Sequence, residues 1–504
     1  MPLPFVPGRK VASVVRVRSL FAPLIVLLTV VGTVLAPGPP RTPQEASEDH
    51  VAHVAANHIR PNIVLILTDD MRADELRLMP RVRRLLVRKG TSYSNALSPH
   101  PVCCPARAEL LTGQFGQNNG VRNNKGPWGG YQALIQPGNT VPAWLQDVGY
   151  LTSHHGKYLN GYERVASTDE PGWSQWDTQV GGTYSYDRTA LFANGDRVDD
   201  EYVTRVIGRR TNRALTRFSR SGAPFFTVVN HVAPHGARRD GRWRVPVAER
   251  RFGDAYARLM PPSYGEPSFQ EQDVKDLPAD LQRSRIPTRD LVRLVRQRAR
   301  ALLSVDAAVA RTVAKLRDLG ELANTYVVFA SDNGFQIGEH RLRGKNLPFD
   351  ETFNIPLVVR GPGITQGARV DEPVTLVDLA ATFLDWAGQV APGRTPDGVS
   401  LDRLGAHPRD TLLVQIGDST DDDTDGWRYR GVTTDRYLFL TPAGSPTDGI
   451  LFDRALDPHA IVNRFDDPGY AEIKRELLAR SRELERCSGV DACNQVFGVL
   501  PEPG

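Results

Sequence analysis

The chain has 504 residues, with 62 Lys and Arg against 58 Asp and Glu, and a formal net charge of +4 at pH 7. Charges so evenly mixed exclude the clustered basic face that a nucleic-acid partner needs. A hydrophobic content of 40% is that of a globular protein, and the length suits one large domain plus a smaller one.

Arg9, Lys10, Arg16 and Arg18 precede an apolar run from Leu20 to Ala36. This pattern predicts a secretory signal over residues 1–36. Pro37 disfavours cleavage after Ala36, so an uncleaved membrane anchor through residues 20–36 is the alternative. Residues 37–58 read as a linker. Such a chain is expected to be secreted or attached to the cell envelope. The lack of any Asn-x-Ser/Thr acceptor points to a bacterial protein over a glycosylated animal one.

The run Ile63–Thr68 predicts a strand buried on both faces, ending in Asp69-Asp70. Ligands of open α/β sheets sit beyond the carboxyl ends of strands, and two adjacent carboxylates there repel unless a cation holds them. A solvated turn is the other reading. Helical spacing follows from Met79-Pro80 to Lys89-Gly90. Pro101-Val102-Cys103-Cys104-Pro105-Ala106-Arg107 then leads into a helix-like Ala-Glu-Leu-Leu run. Adjacent cysteines do not easily bond to each other, and neither has zinc-ligand spacing. On these residues alone, a buried thiol pair opening a helix stays open as a reading.

Val141–Gly149 predicts a further helix, and Gly156-Lys157-Tyr158-Leu159-Asn160 follows it. Trp173, Trp176, Tyr184 and Tyr186 cluster in a glycine-rich stretch, where packing and sugar stacking are both open. A helix over Asp200–Phe218 precedes a strand at Pro224–Asn230 that leads into His231-Val232-Ala233-Pro234-His235. Residues 236–288 read as a long excursion bordering the substrate. Leu302, Val305, Val309, Val313, Leu316 and Leu319 mark a helix from Arg289, stopped by Gly320. The strand Thr325–Ala330 ends in Ser331-Asp332-Asn333-Gly334, a second acidic strand end. Gly344-Lys345 and a strand at Asn354–Val359 complete the main domain, expected over residues 59–405.

Residues 406–504 predict a smaller subdomain. It holds the acidic run Asp421-Asp422-Asp423 (read as a solvated loop), a hairpin over Arg430–Leu440 and a helix from Tyr470 to Arg486. Cys487 and Cys493 enclose a short loop, and in an exported protein a local disulfide is expected. Alternating strands and helices make the fold class α/β.

The pattern Cys-x-Pro-x-Arg with Leu-x-Thr-Gly (Leu110-Leu111-Thr112-Gly113) after it resembles the signature of the type I, formylglycine-dependent sulfatases of the alkaline phosphatase superfamily. That resemblance implies a large, mixed, mostly parallel sheet flanked by helices with a smaller C-terminal α+β subdomain. It implies that Cys103 is converted to Cα-formylglycine by a separate maturation enzyme, with Cys104 a packed bystander. One hydroxyl of the aldehyde hydrate would attack sulfur and the other expel sulfate. Asp69, Asp70, Cys103 as converted, Asp332 and Asn333 would hold calcium, with magnesium the alternative, since their donors are hard oxygens. Arg107 would support the nucleophile, while Lys157, His235 and Lys345 would contact the sulfate. His340 is expected to be structural. The implied substrate is a sulfated sugar or glycosaminoglycan, or an aryl sulfate. Gly156–Asn160 resembles the N-acetylglucosamine-6-sulfatase-like branch. The family's histidine two residues after the lysine is replaced here by Leu159, leaving Asn160 or His155 to fill its space. A phosphonate monoester or phosphodiester hydrolase on the same scaffold, or a non-catalytic exported glycan-binding protein, are the alternatives.

Overall fold

The computed structural model describes residues 60–166, 170–391, 393–417 and 424–504. The signal or anchor, the linker and the acidic run at Asp421–Asp423 lie outside the described residues. No described helix is long and apolar enough to cross a membrane.

Ten strands form the main sheet: β1 (Asn62–Asp69), β2 (Thr91–Tyr93), β3 (Leu151–Gly156), β4 (Gln175–Gly181), β5 (Ala190–Phe192), β6 (Arg197–Val198), β7 (Phe225–Pro234), β8 (Thr325–Ser331), β9 (Leu357–Arg360) and β10 (Ala368–Val370). Their spatial order is β10-β2-β9-β8-β1-β7-β3-β4-β5-β6. The central run from β8 to β4 is parallel throughout, and antiparallel pairs join it on both sides. The carboxyl ends of β8, β1, β7 and β3 therefore open on one edge.

Side chains of a strand alternate between faces, and β1 buries both sets. Ile63, Leu65 and Leu67 join the core beneath helices α1 (Cys103–Thr112) and α4 (Asp378–Trp386). Val64 and Ile66 join the core beneath α2 (Val203–Ser221) and α3 (Thr288–Asp318). Burying each such side chain contributes about 1.5–3 kcal/mol, so β1 anchors the sheet from the middle.

Three elements differ from the sequence expectation. The helix expected over residues 79–90 is a short one, Pro80–Leu85, followed by a 3-10 turn at Val87–Lys89. Its Arg81 and Val82 amides donate to Asp306 Oδ1 of α3, each at 2.8 Å. Gly90 then packs so closely on β9 that a Cβ there would lie 2.1 Å from the Val359 carbonyl oxygen. The strand expected from Asn354 begins at Leu357, directly after Pro356, which has no amide hydrogen to give a ladder. β7 runs on to Pro234, four residues beyond expectation, and so carries His235 to the rim of the sheet.

Strands β11 (Leu412–Gly417), β12 (Trp427–Thr433), β13 (Tyr437–Pro442) and β14 (Ile450–Asp453) form a separate antiparallel sheet in sequence order. Helix α5 (Ala471–Leu484) packs on it through Ile473, Leu477 and Leu484. The expected hairpin is the β12–β13 half of this sheet. A disulfide joins Cys487 to Cys493.

Candidate active site

Each parallel strand delivers one part of a charged cluster at the shared edge. β1 ends in Asp69 and continues into Asp70, β8 leads into Asp332 and Asn333, β7 into His235, and β3 into Lys157. Asp70 turns through a left-handed conformation (φ 68°), which points its amide at Asp332 Oδ1, 3.0 Å away. Lys345 follows the two-residue strand Arg343–Gly344. Cys103 is the first residue of α1. The Ala-Arg-Ala-Glu-Leu-Leu run favours helix, Pro105 is tolerated in the first turn, and Gly113 at φ 67° ends it. All ten residues of α1 are buried, so the nucleophile candidate stands on a fixed support.

The Cys103 thiol lies 3.3 Å from Asp69 Oδ1, and Lys345 Nζ donates to its Sγ at 2.6 Å. The same ammonium is paired with Asp70 and lies 3.7 Å from Asp69 Oδ1. Lys157 Nζ is paired with Asp69 Oδ2. Arg107 donates through Nε to Asp332 Oδ2 at 2.9 Å and through Nη1 to the Lys157 carbonyl at 2.9 Å, tying α1 to two strand ends. His235 presents Nε2 to Asp70 Oδ2 at 3.7 Å, while its Nδ1 donates to the Gly236 carbonyl at 2.8 Å. The site positions expected on the main sheet thus meet in one place.

Burial opposes the ionisation of Asp69, but Lys157, His235, Lys345 and Arg107 outweigh it and hold its carboxyl well below the usual range. Burial, and then the Asp69 charge, push Asp332 up despite Arg107. Burial would discharge both lysines; Asp69 keeps Lys157 protonated, and Asp70 does the same for Lys345. Burial lowers His235, which favours its neutral imidazole. Burial and Asp69 push the Cys103 thiol up to about 12, so the unmodified side chain is a protonated thiol and a poor nucleophile.

Asp69, Asp70, Cys103 and His235 offer ligand atoms within 4.8 Å of one another. Asn333 donates through Nδ2 to Asp70 Oδ1 at 2.8 Å, yet its buried Oδ1 has no partner among the described residues. A buried amide oxygen beside carboxylates fits a hard cation, the partner it lacks. Asp332 is less free than expected of a ligand: Oδ1 accepts the Asp70 amide and Oδ2 accepts Arg107. Three carboxylates (Asp69, Asp70, Asp332) face three cations (Arg107, Lys157, Lys345), so a divalent ion would leave the cluster positive and suited to an anion.

His155 does not fill the space left by Leu159. It lies within β3, paired with Asp177 of the neighbouring strand at 3.1 Å and bonded to Ser153 Oγ at 3.1 Å. Leu159 itself is core. Asn160 does approach, with Nδ2 3.5 Å from the Tyr184 hydroxyl. Tyr184, for which the sequence left packing and sugar stacking open, borders the site: its ring lies 5.1 Å from Lys157 Nζ and 4.5 Å from the His235 ring. The aromatic cluster was its only signal, and nothing there separated it from Tyr186, whose hydroxyl instead donates to the His235 carbonyl at 2.6 Å. Asn124 gave no signal at all; its Oδ1 accepts the Cys104 amide at 2.8 Å at the start of α1. Cys104 is buried, with Sγ 3.9 Å from the Asn160 carbonyl oxygen, and His231 is buried and is not one of the residues whose ligand atoms gather at Asp69 and Asp70. His340 bonds Glu271 through Nδ1 at 2.7 Å and stacks on Phe349.

The Sulfatase family model matches residues 61–389, and a model described as N-sulphoglucosamine sulphohydrolase, C-terminal, matches residues 338–487. The human N-acetylglucosamine-6-sulfatase is 30% identical over 419 residues, 79% of this chain and 71% of that protein. The extracellular sulfatase SULF-1 homolog of Drosophila melanogaster is 32% identical over 69% of this chain, and the arylsulfatase of Volvox carteri 31% identical over 66%. The chain spans only 31% and 56% of the length of these last two relatives. A solved structure described as a complex with its substrate D-glucosamine-2-N,6-O-disulfate superposes with a TM-score of 0.66 at 22% identity, covering 85% of this chain and 98% of that one. The phosphonate monoester hydrolase of Agrobacterium radiobacter superposes with a TM-score of 0.64 at 21% identity, over 84% and 95%. At these identities the two structures speak for the fold alone, a mixed, mostly parallel sheet between helices with a C-terminal sheet subdomain. The chain belongs to the sulfatase family.

Proposed function

We propose that this protein hydrolyses a sulfate ester of a sulfated sugar, with Cys103 converted to formylglycine and a divalent cation, calcium for preference, held by Asp69, Asp70, Asp332 and Asn333. The observation that carries the reading is the meeting of Cys103 with Asp69 and Lys345 at the joint carboxyl edge of four parallel strands. The relatives named as N-acetylglucosamine-6-sulfatases support a sugar substrate, and those named extracellular support export.

A formylglycine hydrate supplies two hydroxyls on one carbon, one to attack sulfur and one to expel sulfate. A cation held by Asp69, Asp70, Asp332 and Asn333 would supply positive charge beside residue 103 and act as a Lewis acid. The remaining work belongs to the chain's own side chains. Arg107 holds residue 103 and Asp332 in register by bridging α1 to two strand ends. Lys157 and Lys345 place ammonium groups on either side of the Asp69-Asp70 pair, where they neutralise charge building on the sulfate oxygens. His235 keeps Nδ1 bonded to Gly236, so Nε2 is the nitrogen that meets the substrate and holds or releases a proton beside the leaving alcohol.

The maturation enzyme is an obligate partner in this scheme. Protein co-produced with it should give a Cys103 peptide whose mass records the loss of sulfur and two hydrogens and the gain of one oxygen, and should turn over an aryl sulfate. A peptide carrying only thiol in active protein would sink the mechanism. Faster turnover of an aryl phosphonate monoester or phosphodiester would reassign the substrate, and glycan binding without turnover would make the protein a binding module.

A further inference from the structure

Three arginines reach the mouth of the site from three separate segments. Arg244 comes from the strand Arg242–Arg244, Arg293 from α3, and Arg343 from the strand two residues before Lys345. All three line one cavity of about 660 Å³ together with Asp70, His235 and Lys345. Their side chains are exposed, and no guanidinium among the three has a hydrogen bond or ion pair among the described residues. The other charges on that wall are matched. Lys345 is paired with Asp70, Arg298 with Glu75 at 2.6 Å, and Asp290 lies 4.0 Å from Arg289.

Trp243 stands in the same wall. It is 56% exposed, and its ring lies edge-on to Tyr184 at 5.1 Å and to His235 at 5.2 Å. An exposed indole beside the reaction centre offers a flat apolar face to a sugar ring. Unmatched cations around it focus a positive field into the cavity, which rewards an anion bound beyond the ester. The volume exceeds what one sulfate group fills.

We propose that Arg244, Arg293 and Arg343 recognise a second anion, a sulfate or a carboxylate, carried by the sugar whose sulfate ester is hydrolysed. The preferred substrate is then a multiply charged glycan with Trp243 under its ring. This rests on the sulfatase reading above and deepens it.

The test compares three sugars on matured protein: N-acetylglucosamine 6-sulfate, its N-sulfated counterpart, and a 6-sulfated disaccharide carrying a uronate. Their kcat/KM is measured with their calorimetric Kd on the Cys103→Ala variant. The doubly charged sugars should be favoured by about tenfold, the scale of one charge-assisted contact. That ratio should fall towards one in Arg244→Gln/Arg293→Gln/Arg343→Gln and on raising salt. Which of the two sugars gains more tells sulfate from carboxylate. Should the triple variant unfold, the three single variants must each lower the ratio. Equal affinities in the parent protein, or a preference that survives loss of the arginines, overturns the proposal. Absence of turnover on every sulfate, with the binding ratio intact, would fail the sulfatase reading and leave the anion site standing.

Discussion

Two of the clusters of buried charge in this fold are built on opposite plans. In one, Arg409 grips Asp378 at the start of α4, with Nη1 3.1 Å from Oδ1 and Nη2 bonded to Oδ2. Asp378 also accepts the Thr375 amide at 2.7 Å and the Val399 amide at 2.8 Å, while Arg409 reaches Asn494 and the Pro373 carbonyl. The carboxylate and guanidinium are both saturated by fixed partners. In the other, at the strand ends, cations crowd against Asp69 and Asp70, and the Asn333 oxygen is left without a partner among the described residues. Buried polar groups that are fully bonded stiffen a structure; those left wanting are available to something else. The first cluster ties the chain together, and the second has the make-up that the proposed function needs of a ligand site.

Breaking the two clusters should therefore give opposite phenotypes. The largest effect on turnover is expected from Cys103→Ala, a loss of about four orders of magnitude or more, with thermal unfolding unchanged. Retained aryl sulfate turnover would remove Cys103 from the chemistry. Asp378→Ala should do the reverse, leaving Arg409 as an uncompensated buried charge and costing about 3–5 kcal/mol of stability. Denaturant unfolding measures the loss, and kcat per folded molecule should hold.

The first cluster was not legible in the sequence, whereas much of the second was. Asp378 and Arg409 are 31 residues apart and neither sits in a pattern that suggests a pair. Asp69-Asp70 and Asp332-Asn333 stood out because each follows an apolar run that only a buried strand explains, and β1 and β8 do lie side by side. Lys157, His235 and Lys345 were found through the family resemblance; as lone residues they carried no pattern. What stayed hidden depended on distant folding. Tyr184 reaches the site because the stretch before β5 bonds the segment after β7, the Arg238 amide donating to the Tyr184 carbonyl at 2.9 Å, and Arg298, whose Nη2 donates to the Asp70 carbonyl, lies among the buried residues of α3. The start of the short helix at Pro80 is held by Asp306, more than 200 residues away, which accepts the Arg81 and Val82 amides.

Smaller changes separate charge placement from mere burial. Lys345→Ala removes the ammonium shared by Asp70 and Cys103 and should lower kcat by about 10²–10³, the scale of one lost transition-state contact. The Asp378 cluster predicts no such response, since Arg409 variants act on stability. A Lys345→Ala protein with full kcat would mean that the ammonium only balances the carboxylates.

The least effect is expected at His340, where a third arrangement lies between the two plans. Burial alone would lower its pKa, but the hydrogen bond to Glu271, with Glu351 and Glu339 nearby, raises it instead. The folded protein therefore binds this proton more tightly than the unfolded chain does. Its stabilisation is fully present below the unfolded pKa of about 6.5 and is lost as pH rises through the raised folded value. In the His340→Gln variant that slope should flatten while turnover at neutral pH persists, because the ring stacks on Phe349 and Phe452, outside the catalytic cluster. Thermal unfolding across that pH range decides it: an unchanged slope would mean that His340 is neutral in the folded state, and that Glu271 is held by geometry alone.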